Sequence, residues 1–324
     1  MNKQLFGLTI LLFVAVGLSL AVGSTGIGAD WEILSTIRAP RVFTAILAGA
    51  GTAAAGALSQ SLFRNSLATP SIIGTEAGAS FALALTTLVG VTNGIQMERS
   101  VFVSSTGAIL ATLASLSLLQ LKDARSLGSI NPQDSGLARL LLGGFALNAF
   151  LAAGTSLCIS ILMERGSGAN LHHWLMGSFT ARSWDHAAGI GIAYLVCLSA
   201  AWILAPGVDV MSLGDDAARA LGVDVGRSYR FILILISVLI GSAISFGGPL
   251  PFLGLVAPHM ARLISKQQLR TVLIISSLLG AILAVTADLA ARTVRSPVDM
   301  DVGLITTMIG APYFLWLLVR RATA

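Results

Sequence analysis

No Gly-x-x-x-x-Gly-Lys-[Ser/Thr] stretch occurs anywhere in the 324 residues, nor even a Gly-Lys pair. A phosphate-cradling loop is therefore missing, which excludes ATP hydrolysis by the P-loop route within this chain. His-Glu-x-x-His is missing too, and Gly166-Ser167-Gly168 is too generic and too loop-like for a nucleophile elbow. Only 2 cysteines are present, Cys158 and Cys197, both in apolar runs; they read as packing residues, with no disulfide framework and no metal site. Charge is scarce, at 11%. The basic residues are scattered over connections rather than gathered on one face, which argues against nucleic acid as a partner despite the net charge of +5.

What fills the chain instead is apolar: 55% hydrophobic residues and a mean hydropathy of +0.84. That composition implies an all-α polytopic membrane protein, one domain over 1–324. Ten spans are predicted, at 4–22, 42–63, 72–91, 101–119, 138–162, 186–205, 230–247, 250–265, 271–290 and 303–319. The 34 glycines suit close helix packing in lipid. Lys3 followed by Leu5–Val22 reads as a retained first helix, since the run is long for a signal peptide. With the N-terminus in the cytoplasm, thirteen of the 20 basic residues fall inside and seven outside, obeying the positive-inside rule and placing both termini in the cytoplasm.

One polar interruption stands out, 206–230, with Asp209, Asp215, Asp216, Arg219, Asp224, Arg227 and Arg230. Ser212 is placed to cap a short helix, with Asp215 completing a capping box and Gly222 supplying the stop. Leu213, Ala217, Ala220 and Leu221 then share one stripe, with Asp215, Asp216 and Arg219 off it. A solvated surface helix and a docking knob for a soluble partner both fit that pattern. Trp31, Trp174 and Trp184 read as interfacial anchors, and the adjacent His172 and His173 as belt residues rather than metal ligands. Gly247-Gly248-Pro249-Leu250-Pro251 predicts broken helix, either a kinked packing helix or a hinge beside a pathway, with His259, Arg262 and Lys266 beyond it facing the cytoplasm. Asn148 reads as an interhelical hydrogen bond or a pathway residue. Asp288 is an acid inside an apolar run, with Arg292 as its i+4 partner.

The words RAPRVFTAILAGAGTAAAGALSQSLFRNSLATPSIIGTEAGA (38–79), LLLGGFALNAF (140–150), HWLMGSF (173–179), MSLGDDAARALGV (211–223), GGPLPFLGLVAPHMARL (247–263), ADLAAR (287–292) and GAPYFLWLLVRR (310–321) follow one another along nearly the whole chain. In order and spacing they resemble the FecCD-type, or type II, ABC importer permeases for iron–siderophore, haem or cobalamin. The resemblance implies a permease in a bacterial cytoplasmic (inner) membrane, itself without catalytic residues, paired with a second copy or a paralogue. It implies two ATPase subunits, which carry the ATP and Mg, and an extracytoplasmic substrate-binding protein; the chain itself binds no cofactor. Leu213, Gly214, Asp215, Asp216, Ala217, Arg219, Ala220, Leu221 and Gly222 would couple to the ATPase. Arg38, Arg41 and Arg292 would dock the binding protein. Leu137 and Ala138 would gate the path and Asn148 line it. The substrate implied is a metal chelate, an iron–siderophore being the commonest. The competing readings are an ion-gradient-driven secondary transporter with Asp288 as coupling site, and a membrane-embedded enzyme acting without a partner.

Overall fold

The structure is a computed structural model that describes residues 2–23, 26–28, 30–93, 100–120, 135–166, 173–265, 268–296 and 298–322. Each predicted span is a helix in it. They are α1 (Asn2–Ala21), α2 (Ala39–Leu62), α3 (Thr75–Asn93), α4 (Ser100–Gln120), α5 (Ser135–Glu164) and α6 (Trp184–Met211), then after a short α7 (Asp215–Ala220) come α8 (Val225–Gly247), α9 (Leu253–Ile264), α10 (Leu269–Thr293) and α11 (Val302–Ala322). A two-residue ribbon, β1 (Val22–Gly23) with β2 (Gly26–Ile27), turns the chain after α1. Among the described residues six helices are long and apolar enough to cross a membrane, and α3, α4, α9 and α11 are shorter apolar ones.

Small residues decide which helix lies at the centre. α2 buries nearly its whole length, Val42 to Leu62, and packs most extensively on α10. Gly49 and Gly280 meet there backbone to backbone: a Cβ on either would run into the carbonyl oxygen of the other. α1, α5 and α6 lie outside, with Phe6, Phe13, Phe145, Phe150 and Ile203 exposed, as lipid-facing surfaces are. Cys158 and Cys197 are buried and free.

The polar interruption is shorter than the sequence suggests. α6 continues through Pro206 to Met211, and α8 begins at Val225. Proline at 206 cannot donate to the carbonyl of Trp202, and Arg270 Nε takes that carbonyl instead at 3.0 Å, its guanidinium 5.3 Å from the Trp202 ring. The predicted break at 247–251 is real. Phe252, in a left-handed conformation (φ 64°), starts α9, whose 12 residues are too few to span alone.

Candidate functional site

Two opposite ends of the bundle carry the polar residues. At one end, here the near face, the α2–α3 turn, α7 and the α9–α10 turn converge. Arg64 pairs with Asp215, and Asp209 accepts from the Leu269 N–H at 3.0 and 3.2 Å, capping α10 from another helix.

α7 differs in detail from its sequence expectation. Ser212 does not cap it; its hydroxyl bonds the Asp209 carbonyl at 2.6 Å. The helix starts after Gly214, which has no side chain to cap with, and Asp215, its first residue, pairs with Arg64. Leu213 and Leu221 therefore sit in the flanking turns. The stop is as expected. Gly222, at φ +83°, donates to Arg219 O at 2.9 Å, and Val223 donates to Ala218 O at 2.9 Å, a Schellman pair. Ala218 alone in α7 is buried, whereas Ala217 and Ala220 are exposed and Leu213 and Leu221 are 71% and 66% exposed. The apolar stripe points away from its own molecule. Asp216 and Arg219 lie beside it, 3.6 Å apart and solvated.

The α2 end uses the same stop with a different residue. Arg64 is left-handed at φ 49°, with Arg64 N–H on Ser61 O at 3.2 Å and Asn65 N–H on Gln60 O at 3.1 Å. Behind it Arg262 does not face out. It turns inward to Gln60 Oε1 at 3.2 Å and Ser61 Oγ at 2.8 Å, satisfying polar groups that the bundle would otherwise strand. His259 is likewise buried, its Nδ1 2.9 Å from the Tyr313 hydroxyl. Both depart from the sequence expectation, while Lys266 lies outside the described residues.

The far face holds the arginine cluster. Asp288, fully buried in α10, meets Arg41 Nη2 at 2.9 Å and Arg292 Nε at 3.3 Å. Arg41 also reaches Asp299 at 2.7 Å. Arg292 and Arg38 bind the end of α1. Arg292 donates to Ser19 Oγ at 2.6 Å and Val22 O at 3.2 Å; Arg38 donates to Leu20 O at 2.8 Å and Ala21 O at 3.1 Å. Leu20 O and Ala21 O are last-turn carbonyls without helical partners. All three arginines are thus buried and partnered within the chain. Arg182, unremarkable in the sequence, lies beside them. Burial and the neighbouring Arg41 charge push its pKa down to about 10, so it stays charged at neutral pH. Trp174 is buried rather than interfacial, Trp184 Nε1 donates to Ser35 O at 2.9 Å, and His173 lies 3.4 Å from Asp301; His172 is outside the described residues. Backbone hydrogen bonds between a loop and two helix ends tie this face together, with Ser178 N–H on Gly247 O at 3.0 Å and Val302 N–H on Gly177 O at 2.8 Å.

Between the faces, Asn148 of α5 donates to Ser71 O at 2.6 Å, clasping the 3₁₀ turn Pro70–Ile73. Leu137 and Ala138 lie in the first turns of α5, their side chains outside the described residues. A cavity of ≈ 350 Å³ lies against that 3₁₀ turn and the start of α9, with Glu76 in its wall. Glu76 escaped notice in the sequence because GTEAGA reads as an ordinary acidic helix start.

Residues 5–320 match the model of the FecCD transport family. The chain is 36% identical to the Fe(3+)-citrate import system permease protein YfmE of Bacillus subtilis, over 97% of this chain and 96% of that one. It is 32% identical to the hemin transport system permease protein HmuU of Yersinia pestis, over 90% and 85%. A solved structure assigned to the metal-chelate type of ABC transporter, in an inward-facing conformation, superposes with a TM-score of 0.83 at 28% identity, covering 99% and 100%.

Proposed function

Because this multi-pass membrane chain belongs to the FecCD transport family, we propose that it is the permease subunit of an ATP-driven importer that moves a metal chelate into the cell, an iron–siderophore being the substrate of choice. The observation that carries the ATP-driven part is the outward apolar stripe on α7. Leu213 and Leu221 are exposed in a segment otherwise held tightly by Arg64 and the buried Ala218. Such a stripe at a cytoplasmic face fits a cleft in a separate ATPase subunit, which supplies ATP and Mg and whose closure displaces α7. A second permease copy or a paralogue completes the pathway, with Asn148 and the first turns of α5, at Leu137 and Ala138, along it. The near face and both termini are then cytoplasmic, in a bacterial inner membrane, and the motion is a two-state rocking of helices.

A substrate-binding protein would dock on the far face. Arg38, Arg41 and Arg292 are its proposed contacts, and since they are internally partnered, its acidic residues must compete with Asp288, Asp299 and the α1 carbonyls. The secondary-transporter reading finds less support. Asp288 is wholly buried between two arginines and has no room to exchange an ion.

The test is uptake into proteoliposomes holding this chain with its permease, ATPase and binding-protein partners. Uptake is expected to stop when ATP hydrolysis is blocked and to survive a proton uncoupler. Steady uptake by this chain alone against a gradient would end the proposal.

A further inference from the structure

Glu76 stands in the first turn of α3, partly exposed to the ≈ 350 Å³ cavity that it lines with Thr69, Ser71, Phe252, Leu255 and Phe314. The other acids held within the bundle are answered: Asp288 by Arg41 and Arg292, Asp209 by the Leu269 N–H. Among the described residues no hydrogen bond or ion pair reaches the Glu76 carboxylate. A helix N-terminus tolerates an acid there, but that accounts for its place on α3 and not for its opening onto a cavity. A carboxyl at an apolar span with no partner is either held neutral or reached by water or a ligand, and its opening onto a cavity favours the second.

The walls point the same way. One is the 3₁₀ turn Pro70–Ile73, where the Thr69 and Ser71 hydroxyls lie 2.6 Å apart; the other is the left-handed Phe252 at the break before α9. Irregular backbone at membrane depth belongs beside protein or a water-filled space, and both of these irregular segments line the cavity.

We propose that this cavity is a wetted part of the translocation route and that Glu76 makes it selective by charge, favouring chelates with a cationic or hydrogen-bond-donating edge over anionic ones. The proposal rests on the permease reading and narrows its substrate class.

The test reads the cavity without needing the substrate. Thr69→Cys is placed in the full chain in membranes and labelled with a cationic and an anionic thiosulfonate reagent; the native Cys158 and Cys197 are buried and give little background. Labelling is run at alkaline pH, where the carboxyl is ionised; a negative charge sharing the cavity with the thiol raises the cation-to-anion rate ratio several-fold, about tenfold for a separation of ~6 Å at the dielectric of water. That ratio is expected to fall to the baseline in Thr69→Cys/Glu76→Gln. If Thr69→Cys does not fold, Ser71→Cys reads the same wall. No labelling from water, or a ratio unchanged by Glu76→Gln, overturns the inference. In the reconstituted complex, a ferric trihydroxamate bearing an ammonium group should outpace its neutral N-acetylated form, and Glu76→Gln should remove that preference; equal uptake of the two by the parent protein counts against it. Loss of ATP dependence would sink the importer reading while leaving the reagent ratio standing, so the two failures are distinguishable.

Discussion

Asp288 shows what a single buried charge demands. Two guanidiniums meet it from α2 and from its own helix, and Arg292 is tied in turn to the end of α1. Replacing such a pair with apolar residues is often neutral, whereas removing one partner leaves an uncompensated charge. Arg41→Ala is therefore expected to cost about 3–5 kcal/mol, read as loss of the monodisperse peak in detergent and a lower unfolding temperature. Arg41→Ala protein that is stable and monodisperse, with only docking weakened in a salt-dependent way, would leave Arg41 its docking role and refute its part in holding Asp288. The sequence revealed the i,i+4 partner, Arg292, because helix spacing is local. It did not reveal Arg41 as the nearer one, since 247 residues separate it from Asp288 and no periodicity reports contact between α2 and α10.

Arg64 is the second instructive residue. It holds a left-handed stop where glycine fits better, at a cost of about 1–2 kcal/mol, and from there it reaches Asp215. Arg64→Gly should leave monomer stability unchanged or raise it by about 1 kcal/mol while loosening α7, so that uptake falls although the melting temperature does not. A parallel fall in both would make Arg64 an ordinary structural residue.

At the level of elements, α7 is the clearest case. Its stop at Gly222 and its outward stripe were legible, because both follow from local residue chemistry. Its start was not. Ser212 and Asp215 have the spacing of a capping box, but Asp215 is claimed by an arginine 151 positions away, which the spacing rule does not count. Leu213→Asp and Leu221→Asp change side chains that touch little of their own molecule. Each should leave size-exclusion profile and unfolding temperature intact while the ATPase no longer co-purifies; retained co-purification refutes the coupling role. Gly222→Ala forces an alanine into the left-handed region, a cost of about 1 kcal/mol on a helix of one and a half turns. A reduced ATPase affinity is expected, measured by pull-down, without loss of the folded permease.

For the molecule as a whole, ten apolar runs sufficed to place ten helices, since chain hydropathy and span length govern existence and number. The order of packing needed more. Gly49 and Gly280 make α2 and α10 a single backbone-to-backbone layer, and small residues in the sequence signal a close approach without naming the partner. Gly49→Leu or Gly280→Leu should wedge the two apart and abolish folded protein on detergent extraction, whereas Gly7→Leu, with open space around it, should be silent. The backbone tie among 177, 178, 247 and 302 was invisible because it joins a loop to two helix ends far apart in the sequence, and no local pattern reports such a contact.

That central layer has a consequence for how force would travel. Displacing α7 tugs on the end of α2 through Arg64, and displacing the adjoining end of α6 tugs on the start of α10 through Asp209. One tether from the short rod and one from the helix end beside it thus lead into one unslipping plate, so a push there has no means of sliding the helices past each other and must tilt them together.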